Sequence, residues 1–103
     1  MSAFEATFGS MECYVRVEPR SNACGEMLFA ATPFVISGDW NLFNWFPDSA
    51  GAPMEFLAGG EDAALARAAT FLTVRFGSQH AQFVKAPERS TPVVLKPLAS
   101  PTT

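Results

Sequence analysis

Residues 4–17 alternate in a way that only one chain reversal satisfies. Phe4, Ala6 and Phe8 are separated by Glu5 and Thr7, Gly9-Ser10 follows as a Gly-X turn, and Met11, Cys13, Val15 and Val17 then alternate with Glu12, Tyr14, Arg16 and Glu18. A two-residue loop at 9–10 pairs Phe8 with Met11, Ala6 with Cys13 and Phe4 with Val15. Every apolar residue of that series then falls on one face, as a half-buried antiparallel hairpin requires. A slip of one residue would turn the whole apolar set to the other side. The alternation therefore predicts both a hairpin and its register.

Pro19 to Gly25 is a turn cluster, and Glu26 to Ile36 reads as a third strand. Pro33 interrupts that strand, and because proline donates nothing to a ladder it marks an edge, a bulge or a break. Gly38-Asp39 signals another turn, returning the chain as a strand over Trp40–Phe46. Pro47 to Pro53 is a loop, and Met54–Leu57 is a short strand candidate.

One helix is expected, over about residues 60–76. Glu61 and Asp62 suit its positive end, Arg75 suits its last turn, and Gly77 suits the position after it. Leu65, Ala68, Ala69, Leu72 and Phe76 form one apolar stripe. Alanines at 63, 64, 66, 68 and 69 keep the helix thin, so it can approach a sheet closely. Ala81–Lys85 reads as a last short strand, and Val93-Val94-Leu95 as a locally docked segment.

The expected fold is therefore α+β, an antiparallel meander of about five strands with the helix across one face. Residues 1–98 read as a single globular domain and 99–103 as a flexible end. With 103 residues, 49% of them apolar, the chain can bury one core without covalent staples. No apolar run reaches the length of a membrane span or of a signal peptide, which points to the cytoplasm and to no membrane partner. Cys13 and Cys24 are expected as reduced thiols.

Few residues suggest chemistry. His80 is the only histidine, and it follows a polar turn just past the helix without a visible acid–base partner. It reads as a solvated loop residue, with an enzyme built on it ranking third among the functional readings. One histidine and two distant cysteines match no zinc spacing, so no metal and no cofactor are expected. The Gly59-Gly60 pair precedes Glu61 and Asp62, which would repel a phosphate. Nucleic acid is not an expected partner, since the net charge is −3 and the aromatic run Trp40–Phe46 lies in the acidic part of the chain. Residues 1–66 hold nine acids and two bases, and residues 67–103 hold five bases and one acid. Such a divided field can orient a partner during encounter.

What remains is the run Trp40-Asn41-Leu42-Phe43-Asn44-Trp45-Phe46-Pro47. In a strand, Trp40, Leu42, Asn44 and Phe46 point one way, and Asn41, Phe43 and Trp45 the other. Both faces carry apolar rings and both carry an asparagine, which a strand buried on both sides tolerates only with partners for the amides. An exposed aromatic patch suits the enrichment of tryptophan in binding hot spots. The expected contact set is Asp39, Trp40, Phe43, Trp45, Phe46 and Asp48. The leading reading is a non-enzymatic protein-interaction module whose partner is another protein, a homodimer being compatible with it. The second is a small-molecule site lined by Trp40 and Trp45. In size and element order the chain looks like the small inhibitors and immunity proteins of bacteria and phages, which bind and block another macromolecule; no motif carries that likeness.

Overall fold

A computed structural model describes residues 2–8, 10–37, 42–77, 83–86 and 94–98. Its elements are strands β1 (Ser2–Phe8), β2 (Met11–Ser21), β3 (Met27–Ser37), β4 (Leu42–Trp45) and β5 (Phe56–Ala58), helix α1 (Glu61–Phe76), and strands β6 (Val84–Lys85) and β7 (Val94–Pro97). The strands form a seven-stranded sheet in the order β6-β1-β2-β3-β4-β7, with β5 also paired to β3. The fold is α+β, with one helix packed on a sheet. Two features differ from the expected meander. Among the described residues there are seven strands rather than about five, and β7 runs parallel to β4.

The first hairpin has the register that the alternation demands, with Phe8 opposite Met11, Ala6 opposite Cys13 and Phe4 opposite Val15. Its apolar face carries Ala6, Phe8, Cys13, Val15 and Val17, all buried in the main core. Helix α1 closes that core with Ala64, Ala68 and Leu72, each wholly buried. Leu65, Phe71 and Phe76 flank them, partly buried. The buried line thus starts at Ala64, one position before the expected stripe. Alanine at two of these contact positions removes the bulk that would hold the helix off the strands. Gly77 ends the helix in the left-handed conformation, its N–H donating to Thr73 O at 2.7 Å.

Strand β3 runs unbroken through Pro33, which pairs with Val15 of β2. On its other side β3 pairs with β5 over Phe29–Ala31 and with β4 over Phe34–Ser37. Pro33 lies in the gap between those two partners, where a missing donor breaks no ladder.

The sheet's opposite face holds a second cluster of Ala3, Tyr14, Phe34, Ile36, Phe43 and Ala86, with Trp45 packed against it. The sheet is therefore apolar on both sides near β3 and β4. Cys13 is a buried free thiol and Cys24 an exposed one.

A fixed loop between two strands

Strand β4 divides the aromatic run between the two faces. Phe43 is 4% exposed and packs between Tyr14, at a ring separation of 4.8 Å, and Phe34, at 5.8 Å. Phe46 is 3% exposed on the helix side, edge-on to Phe71 at 5.0 Å. Both rings belong to cores, so neither can be part of the exposed patch expected from the sequence. The physical reason is that both faces of this sheet bury apolar side chains, and alternation then feeds successive rings into different clusters. Asn44 shares the helix side with Phe46, and its amide donates to Val35 O at 3.3 Å and to Ser37 Oγ at 2.9 Å. Those bonds resolve the difficulty of an asparagine in a strand buried on both sides.

Trp45 is half-buried, and its indole N–H donates to Gly51 O at 3.2 Å. That bond ties the last residue of β4 to the tip of loop 47–53. The loop leaves the sheet edge between β4 and β5, and it is closed at its base by an antiparallel bridge between Pro47 and Pro53. Met54 N–H to Phe46 O, at 2.8 Å, reinforces the base. Residues 48–53 are exposed.

Asp48 organises the loop from within. Its Oδ1 accepts from Ala50 N at 2.8 Å and from Ala52 N at 3.0 Å. Its backbone N–H donates to Ala52 O at 2.7 Å, and its carbonyl accepts from Gly51 N at 3.0 Å. Gly51 has φ of 86°, a left-handed conformation that side-chain-bearing residues resist. Asp48 is thus exposed as expected, but it serves as a structural cap for the loop as well as a surface charge.

The same pattern occurs at the β2–β3 turn. Asn22 Oδ1 accepts from Cys24 N and from Glu26 N, both at 2.9 Å. Asn22 N donates to Glu26 O, Gly25 N donates to Asn22 O, and Gly25 has φ of 82°. Asn22-Ala23-Cys24-Gly25 and Asp48-Ser49-Ala50-Gly51 therefore share one hydrogen-bond pattern, a tight turn held by the Asn or Asp side chain and closed by a left-handed glycine. The signal is legible in the sequence as Asn or Asp with glycine three residues later, which turn composition alone does not distinguish.

Beside the loop lies an ionic cluster. The Arg20 guanidinium makes a two-pronged contact with the Glu55 carboxylate, with Nη1 to Oε1 at 3.2 Å. Arg20 Nη2 is also 3.7 Å from Glu18 Oε2. Arg16 Nε lies 2.8 Å from Glu18 Oε1, off the hydrogen-bond direction, and its guanidinium carbon sits 5.4 Å from the centre of the Phe34 ring. Leu57 of β5 and Met27 of β3 are exposed, at 49% and 59%.

Of the expected contact set, Asp39 and Trp40 lie outside the described residues, as does His80. Phe43 and Phe46 are core, while Trp45 and Asp48 meet at loop 47–53. Among the described residues no group of three histidines, cysteines or carboxylates is placed to hold a metal, and no helix is long and apolar enough to cross a membrane. Burial pushes the Cys13 thiol up to about 12, which keeps it protonated and unreactive. No family model, curated protein or solved structure matches this chain.

Proposed function

We propose that this chain is a non-enzymatic protein-binding module of the inhibitor or immunity-protein kind, cytoplasmic in a bacterium or phage-infected cell, that seats loop 47–53 on another protein. One observation carries the reading: an exposed loop whose shape is set in advance by Asp48, Gly51, the Pro47–Pro53 bridge and the Trp45 indole. Ordering a residue's backbone costs about 1–2 kcal/mol, and a loop already ordered avoids that cost on binding. Ser49, Ala50, Gly51 and Ala52 also have almost no side-chain freedom to lose. Their small size lets the backbone approach a partner closely. Trp45 at the base supplies the broad half-exposed ring, and Asp48 and Glu55 supply charges at the rim. Charges so placed act mainly on encounter rate.

The second reading, a small-molecule pocket lined by Trp40 and Trp45, involves a residue outside the described ones, and the Trp45 N–H is engaged by Gly51 O, so only its ring face could meet a ligand. The test is a parallel capture from lysate of the source cell with immobilised wild type and Ala50→Arg. The expected result is a protein retained by the wild type and lost by the variant, with the two melting alike. A protein retained equally by both, or no specific retention, would overturn the proposal.

A further inference from the structure

We draw no further inference here: the strongest candidate, the aromatic face of the sheet away from the helix, where Arg16 lies over Phe34 beside Tyr14, Phe43 and Trp45, carries nothing because nothing among the described residues shows what covers it.

Discussion

Leu72→Ala is expected to destabilise the fold by about 3–4 kcal/mol. Leu72 is 0% exposed and belongs to the core that α1 closes against the sheet. Truncation removes three carbon groups, worth about 0.8 kcal/mol each in transfer free energy, or about 2.4 kcal/mol. A cavity contribution adds to this, because the side chains below Leu72 on the same helix line are Ala68 and Ala64, which cannot reach into the space. The loss is a large share of the roughly 5–15 kcal/mol that holds a domain of this size. It should lower the melting temperature by on the order of 12 °C or more, at about 4–8 °C per kcal/mol. Urea titration followed by circular dichroism gives the free energy, with an unchanged m-value showing that the folded and unfolded states keep their compactness. Leu72→Met, which conserves volume, should cost less than about 1.5 kcal/mol. A cost below about 1 kcal/mol for Leu72→Ala would place this residue outside a packed core and refute the pairing of helix and sheet.

Phe43→Ala should cost about 3–5 kcal/mol in the same assay, since the ring is buried between Tyr14 and Phe34; a stable variant would restore Phe43 as a surface residue. Gly51→Ala should cost about 1–2 kcal/mol through its left-handed backbone alone, as a Cβ there meets no atom within 4 Å; a neutral result on thermal melting would mean the loop relaxes freely. Glu55→Gln should cost less than about 1 kcal/mol, and less still in high salt, because the pair with Arg20 is solvent-exposed; a larger, salt-independent loss would contradict that. For Cys13, the folded thiol holds its proton to about pH 12 while the unfolded one releases it near 9, so stability should fall between those values as pH rises. Urea midpoints across that range should fall less steeply in Cys13→Ala than in the wild type; identical slopes would show that Cys13 contributes nothing.

The first hairpin was legible to the residue because its apolar face is one-sided, and a period of two then leaves a single register. Helix α1 was legible from its acidic start and Gly77 stop. Its apolar stripe is found as expected at Leu65, Ala68, Leu72 and Phe76, and of the wholly buried positions only Ala64 was missed, because alanines run along several sides of the helix and blur the edge of the stripe. The aromatic run was ambiguous for a related reason. A strand with apolar side chains buried on both faces shows no polar side, so residue identity alone does not separate Phe43 and Phe46 from surface rings. Strand β7 escaped because its pairing with β4 is parallel and distant in the chain, and a four-residue strand carries no periodicity of its own. Pro33 signals an edge, a bulge or a break, and it is a local edge, because β4 and β5 leave it in a gap on one side of β3. Trp45 and Asp48 stand out in the sequence by residue type, as a ring and a charge. Their joint role in holding loop 47–53 depends on hydrogen bonds to backbone groups, which residue identity does not encode.

The claim that loop 47–53 is the contact surface is tested most directly by following backbone and indole N–H resonances while the captured partner is titrated in. The account predicts that the largest changes fall on residues 48–52 and on the Trp45 indole N–H, with the core amides of β2 and α1 unmoved. Changes concentrated elsewhere, with residues 48–52 and the Trp45 indole unaffected at saturation, would contradict it.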